Sequence, residues 1–226
     1  METPLIEARE VRKSYWIGKI ETPVLNGIRL KIPERACLSV TGASGTGKST
    51  LLHLLASLDP PTGGKVLFRG LDLYAERDRS LSRLRNEQIG FVFQFHHLMP
   101  EFTALENVMM PLLIRGVPRA EARERADAVL AELGLQARSG HRPAELSGGE
   151  QQRVAVGRAI VGTPAILFAD EPTGNLDRAN GGKLVEILLG LHARRGMSLV
   201  LVTHNEEIAG KFPVRFHLAE GRLREL

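Results

Sequence analysis

The chain holds one cysteine in 226 residues, eight phenylalanines, two tyrosines and one tryptophan, and no apolar run near the roughly 18 residues that cross a bilayer. Each shortage excludes something. A lone cysteine, Cys37, forms no internal disulfide, fits a reducing compartment, and lies in an apolar run where it is expected to pack as a small core side chain. The lack of a spanning segment, with a start, Met1-Glu2-Thr3-Pro4, that opens no secretory signal, leads to the expectation of a soluble, cytoplasmic chain. Charge of one sign is lacking too: 30 lysines and arginines against 26 aspartates and glutamates leave a net +4, and the signs interleave, as from Arg119 to Arg125. A solvated mixed-charge surface is expected rather than a nucleic-acid face. No internal repeat or low-complexity tract divides the chain.

What is present is a glycine-rich stretch, Gly42-Ala43-Ser44-Gly45-Thr46-Gly47-Lys48-Ser49-Thr50, reading G-x-x-x-x-G-K-S. The apolar run at 36–41 before it suits a buried strand, and Leu51, Leu52, Leu54 and Leu55 after it keep helical spacing. Strand, glycine loop and helix in that order are the context of a P-loop. Glycines let successive backbone N–H groups turn inward, and the new helix adds the positive end of its dipole, so the loop is a cradle for phosphate. Lys48 is expected to reach the outer phosphates as a point charge, and the Ser49 hydroxyl to complete the coordination of a Mg²⁺ shared with the nucleotide.

Around this loop, residues 5–11 alternate loosely like an edge strand and residues 24–32 share that character, so a small antiparallel sheet is expected to open the first domain. Tyr15 and Trp16 fall between them in what reads as a polar loop, where a flat ring either stacks on a nucleobase or closes the edge of the sheet. A turn at 59–64 leads to a short strand at 65–70. From about residue 80 to about residue 146 the pattern is mostly helical: Pro118 suits a helix start, Ala126, Val129, Leu130 and Leu133 form an apolar stripe, and Gly134 suits the stop. A helical subdomain inserted into a nucleotide-binding core is the expectation.

Two stretches bracket that insert. At its entrance the strand 89–93 ends in Gln94, a polar group for Mg²⁺ or an attacking water. At its exit, Leu146-Ser147-Gly148-Gly149-Glu150-Gln151-Gln152-Arg153 is a second glycine-rich turn opening a helix, hence a second anion site, without a lysine or Mg²⁺ ligand of the P-loop kind. The buried run 165–169 then delivers adjacent carboxylates, Asp170 and Glu171, at a strand end before Pro172. Asp170 is placed to hold Mg²⁺ and Glu171 to take a proton from water, the division of labour that phosphoryl transfer to water needs. After a turn at 174–177, a helix is expected to bury Leu184, Ile187, Leu188 and Leu191 until Gly196 ends it. The run 198–203 delivers His204. Gly42, Asp170 and His204 each follow an apolar strand directly, and ligands of parallel sheets bind at the carboxyl ends of strands, which points His204 at the terminal phosphate.

In that order and over essentially the whole chain, the P-loop, Gln94, LSGGEQQR, Ala169-Asp170-Glu171-Pro172, Asn175-Leu176-Asp177 and His204 closely resemble the ATPase subunits of ABC transporters. The resemblance implies an α/β P-loop NTPase fold of ABC type: a mixed-sheet core with an N-terminal antiparallel sheet and an inserted helical subdomain. The core would be residues of about 1–79 and 147–226, and the subdomain about 80–146. The resemblance also implies ATP and Mg²⁺ as cofactors, ATP hydrolysis as the activity, and a head-to-tail homodimer. ATP would lie between the P-loop of one subunit and Ser147, Gly148, Gly149 and Glu150 of the other, with Asp177 also at the nucleotide. By the same resemblance Tyr15 stacks on adenine, Gln94 links Mg²⁺ to a membrane partner, Glu171 is the general base and His204 the γ-phosphate switch; Ser49, Gln94 and Asp170 are the metal ligands.

The stretch 169–177 is similar to the branch that holds lipoprotein-release, macrolide-export and cell-division ATPases, and residues 94–108, 110–114 and 141–143 are very similar to the lipoprotein-releasing members. That similarity implies integral membrane subunits as partners, lipoprotein handled by those subunits alone, no nucleic acid, and a peripheral place on the cytoplasmic face of the inner membrane. Gln151, where many relatives carry a basic residue, is one departure. Macrolide or peptide efflux and cell-division regulation stay as alternatives. Beside Gln94, the side chains of Phe95, Leu98, Met99 and Phe102 either form a groove for a helix of a membrane protein or pack inside the helical insert. His96 and His97 have no matching ligands for a metal.

Overall fold

A computed structural model describes residues 3–226. The chain forms two compact units, one comprising residues up to Arg85 together with Ser198–Leu226, the other Asn86–Met197. The first begins with β1 (Ile6–Ile17), β2 (Ile20–Ile32), β3 (Cys37–Thr41), α1 (Lys48–Leu55), β4 (Gly63–Phe68) and β5 (Leu71–Asp72), and α2 (Asp78–Gln88) leads out of it. The second holds β6 (Ile89–Val92), α3 (Ala104–Ile114), α4 (Arg119–Glu132), α5 (Gly148–Ile160), β7 (Ile166–Asp170) and α6 (Arg178–Arg195). The chain then returns to the first through β8 (Ser198–Val202), α7 (Glu206–Ala209), β9 (Val214–Ala219) and β10 (Arg222–Glu225).

The expected antiparallel sheet is present, in the order β2-β1-β4-β5. β1, however, is paired on both sides and is not an edge strand. Its alternation looked loose because the register shifts three times between Ala8 and Ser14, with Glu10 at φ +51°, and each bulge breaks the period of two that marks a strand. Tyr15 and Trp16 are likewise not in a loop: they continue β1, opposite Thr22 and Glu21 of β2, as aromatic side chains favour on a pleated surface. Only Gly18 and Lys19 form the turn between the two strands.

In the same unit β3 lies between β8 and β9, parallel to both, and β10 adds to β9 antiparallel. Every residue of β3 and β8 is buried, which is why each reads as a mostly apolar run without alternation. The polar exceptions have partners: Ser39 Oγ donates to the Ala209 carbonyl at 3.2 Å, and Thr41 Oγ1 lies 3.1 Å from His217 Nδ1. Leu51, Leu52, Leu54 and Leu55 of α1 are all fully buried, each contributing roughly 1.5–3 kcal/mol of transfer free energy.

In the second unit β6 and β7 are parallel. Helices α3, α4 and α5 meet at Gly157, where an added Cβ would lie 3.1–3.3 Å from Leu133, Val108 and Val129. A capping box, with Thr103 and Glu106 each accepting from the other's amide, starts α3. α6 buries Leu184, Val185, Leu188 and Leu191; Ile187, expected inside, is half-buried, because the inward stripe runs through 181, 184, 185, 188 and 191.

Candidate functional site

In the first unit, β3 ends at Thr41 and the chain turns at once into the glycine loop, with φ +154° at Gly42, +80° at Gly45 and +98° at Gly47. A Cβ at Gly42 would lie 2.4 Å from the Leu218 carbonyl oxygen, and one at Gly47 2.7 Å from Val24 Cγ1, so neither position admits a side chain. Gly47 caps α1 without a side-chain hydrogen bond. Lys48 is 6% exposed and its Nζ donates to the carbonyls of Gly42 and Ala43 at 2.9 Å each, so the ammonium lies over the loop itself. Thr46 Oγ1 donates to Ala43 at 2.9 Å, Ala43, Ser44 and Gly45 are exposed, and Thr50 is half-buried. A glycine loop at a helix N-terminus with one ammonium over it fits a polyphosphate, and the exposed Ser49 brings a hard oxygen donor of the kind Mg²⁺ takes.

The sheet register brings His204 to this loop. Val40 of β3 stands opposite Val202 of β8, and the same offset carried past the strands, one residue beyond β3 and two beyond β8, matches Gly42 with His204. The Thr203 amide donates to the Val40 carbonyl at 3.1 Å, so the pairing holds to the last residue before the histidine, which is exposed. Tyr15 belongs to the same unit; it is 41% exposed, and its hydroxyl donates to Asp59 Oδ2 at 2.7 Å.

The second unit repeats the arrangement with side chains. Val92 of β6 stands opposite Ala169 of β7, and that offset sets Gln94 opposite Glu171. Asp170 is 7% exposed and Glu171 9%, and Glu171 has φ +44°, a region that a glutamate seldom adopts. The Gly174 amide donates to the Glu171 carbonyl at 2.9 Å, Asn175 Nδ2 donates to the Gln94 carbonyl at 3.1 Å, and a Cβ on Gly174 would come 3.0 Å from Gln94 Nε2. Gln94, Glu171, Gly174 and Asn175 are therefore one cluster.

Two residues of α5 that the sequence reading passed over hold the Gln94 loop. Gln152, 3% exposed, donates from Nε2 to the Phe93 carbonyl at 2.9 Å; Arg158 donates to the carbonyls of His97 at 2.7 Å and His96 at 2.8 Å. The one signal available was for Gln152, a polar side chain in line with the apolar residues that α5 buries. The neighbouring apolar residues divide: Phe95 is 61% exposed, Met99 and Phe102 are half-buried, and Leu98 is buried. Fully buried Asn107 fixes this loop, donating to the carbonyls of Met99, Phe102 and Thr103.

The turn before α5 is a capping box: Ser147 Oγ accepts from the Glu150 amide, while the Ser147 amide and hydroxyl both donate to Glu150 Oε2 at 2.8 Å. Those bonds, with Arg138 at 3.3 Å, hold the Glu150 carboxyl below the ordinary glutamate range. Asp177 caps α6, accepting from the Asn180 amide at 2.9 Å and from its Nδ2 at 2.6 Å, and these bonds lower its carboxyl too. Asn180 lies 3.7 Å from where a Gly149 side chain would begin, so the Ser147 turn and Asp177 are neighbours. Cys37 is a core residue, its thiol pushed up to about 11 by burial.

A glycine loop between strand and helix, in an α/β fold whose polar groups stand at the carboxyl ends of parallel strands, defines a P-loop nucleotide-binding protein. The chain belongs to the ABC transporter family, whose sequence profile matches residues 25–174. It is 52% identical to the "Lipoprotein-releasing system ATP-binding protein LolD" of Geobacter metallireducens, over 97% of each chain. To the protein of the same name from Alcanivorax borkumensis it is 46% identical, over 99% of this chain and 98% of that one. Among solved structures, a dimeric bacterial ABC transporter cassette superposes with a TM-score of 0.90 at 38% identity, covering 98% of this chain and 97% of that one. A dimeric cassette in a post-hydrolysis state, bound to ADP and Pi, superposes at 0.89 and 37% identity with the same coverage. Among the described residues, no helix is long and apolar enough to cross a membrane.

Proposed function

We infer that the chain is the ATP-hydrolysing subunit of a lipoprotein-releasing ABC complex, docked on integral membrane subunits at the inner face of the inner membrane. The observation that carries this is identity of 46–52% to proteins of that name across nearly the full length of both partners, well beyond the shared ATPase motifs. Lipoprotein is handled by the membrane subunits, and this chain supplies the work. Residues of about 80–146 are read as the helical arm toward those subunits.

The roles divide as follows. The P-loop amides and Lys48 hold the outer phosphates of ATP, and Tyr15 stacks on the adenine. Ser49 holds Mg²⁺, with Gln94 and Asp170 as further oxygen donors; the ion, when bound, neutralises charge on the transferred phosphoryl group. Glu171 accepts the proton of the attacking water, a role its burial beside Gln94 suits, and His204 donates to the γ-phosphate. In a head-to-tail dimer the Ser147-Gly148-Gly149-Glu150 turn and Asp177 of one copy close over the nucleotide of the other. ATP drives such closure only through its different affinity for the open and closed states.

The test is to tag the chain, solubilise membranes of its native host in mild detergent, and identify what purifies with it. Membrane subunits with large periplasmic domains, in a complex whose ATPase rate responds to added lipoprotein, are the expected outcome. Recovery with a division-site membrane protein, or with a drug-efflux partner and no response to lipoprotein, overturns the substrate assignment and leaves the ATPase chemistry standing.

A further inference from the structure

Tyr15 does not stand alone on its strand. Lys13, only 6% exposed, donates from Nζ to Asp59 Oδ1 and to the Pro60 carbonyl, each at 2.6 Å, and the other oxygen of Asp59 accepts from the Tyr15 hydroxyl at 2.7 Å. The Lys13 ammonium also lies 4.9 Å from the centre of the Tyr15 ring. Asp59 is in turn anchored to the helix that leaves the P-loop: the Tyr74 hydroxyl reaches both the Asp59 carbonyl at 2.6 Å and the Leu54 carbonyl of α1 at 2.7 Å. A strut thus runs from α1 through Asp59 to the phenol.

The protonation states suit it. Burial opposes charge on Asp59, but the bonds from Lys13 and Tyr15 prevail and hold its carboxyl below the ordinary range, so it is an ionised acceptor at neutral pH. Burial, reinforced by Asp59, pushes the Tyr15 phenol up, so it remains a donor. A ring tied at its hydroxyl and backed by a cation has lost its rotamer freedom before any ligand arrives, and that pre-organisation raises affinity without a new contact. Buried Lys13 against half-exposed Tyr15 leaves the open surface of the cluster on the ring.

We propose that Asp59, fixed by Lys13, is a positioning residue for nucleobase binding: it sets the plane of Tyr15 and so tunes affinity for the base rather than for the phosphate chain. The proposal rests on the reading of Tyr15 as the base-stacking ring. It is tested on the full chain by calorimetric titration with ADP and, as a base-free probe, pyrophosphate. Tyr15→Ala is expected to weaken ADP on the order of tenfold and leave pyrophosphate unchanged. Tyr15→Phe keeps the ring and the Lys13–Asp59 pair but cuts the strut, together with the bond between the phenol and the Thr50 side chain, which Asp59→Ala leaves in place; a loss of roughly threefold for ADP alone is expected. Asp59→Ala is expected to cost roughly three- to tenfold for ADP, and nothing further when Tyr15→Ala is already present.

A merely structural role for Asp59 would weaken pyrophosphate too and would persist in the Tyr15→Ala background. If Asp59→Ala does not fold, because Lys13 is left buried without its carboxylate, Tyr15→Phe carries the test. Wild-type ADP affinity in Tyr15→Phe, with weakened affinity in Tyr15→Ala, overturns the strut and spares the stacking. Wild-type affinity in Tyr15→Ala overturns both.

Discussion

In the first unit the loop after β3 has only short side chains at its tip: Gly42 and Gly47 exclude side chains by contact with Leu218 and Val24, and its one long side chain, Lys48, lies over the loop's own carbonyls. In the second unit the positions after β6 and β7 carry side chains, Gln94 and Glu171; side chains hold the backbone of the Gln94 loop, Asn175 at Gln94, Gln152 at Phe93 and Arg158 at His96 and His97, and the Gly174 amide holds the Glu171 carbonyl. Both units use the same geometry, two adjacent parallel strands whose register, carried one or two residues past the strand ends, matches their loop residues with one another. The difference follows from what each end is suited to do. A polyphosphate is bound by many weak, fixed dipoles, which backbone amides supply without entropy loss. A proton must be accepted by one group in one place, and a long side chain reaches that place only when its surroundings immobilise it.

If that division is right, substitutions in the two units should separate chemistry from binding. The largest effect is expected for Glu171→Gln, which should slow ATP hydrolysis by about 10²–10⁴-fold in single-turnover assays while ATP still binds and a closed dimer accumulates in gel filtration. Normal turnover in a monomeric Glu171→Gln would remove it as the base. Lys48→Ala should do the reverse, weakening ATP by about 10–100-fold in titration calorimetry, as loss of a charged hydrogen-bond donor implies. Unchanged affinity there would separate the loop from phosphate binding.

A finer probe is Arg158→Ala, which releases the carbonyls of His96 and His97 and should lower the hydrolysis rate by roughly tenfold with ATP affinity intact. Arg158→Lys should recover little, since an ammonium does not replace a fork over two carbonyls. If Arg158→Ala weakens ATP and spares the rate, the contrast between the units fails. The smallest effect belongs to the cap of α5. Ser147→Ala should cost about 1 kcal/mol, or ~2–4 °C in melting temperature. Because the Glu150 carboxyl titrates lower in the folded chain than its ordinary value of 4.5, its contribution is present above that pH and is lost as pH falls through the folded value. Thermal melts from about pH 6 to about pH 3 should therefore fall more steeply for the wild-type chain than for Glu150→Gln.

Some elements were plain in the residues and others were not, for identifiable reasons. β3, β7 and β8 are buried at every position and are mostly apolar without alternation, so they read directly. The edge assignment of β1 and the loop assignment of Tyr15 failed because bulges erase alternation, and nothing in a bulged sequence says how many neighbours the strand has. Gln152, Arg158 and Asp59 escaped notice because their partners lie 59, 61 and 44 residues away along the chain, and two of the three bond to backbone carbonyls, which every residue possesses. A residue's type announces a donor, not its acceptor.

By itself the sequence determined the chemistry at hand: where glycine permits an inward run of amides, where an ammonium and two adjacent carboxylates stand, and which runs must be buried. Those properties are local, set by side-chain type and by spacing within a turn or a strand. Tertiary structure alone decided the company each group keeps. Strand register placed His204 beside Gly42 and Gln94 beside Glu171, and buried donors chose which carbonyls to hold. Register and long-range hydrogen bonds are settled by the packing of whole faces against one another, a sum over many distant residues that no single stretch of sequence contains.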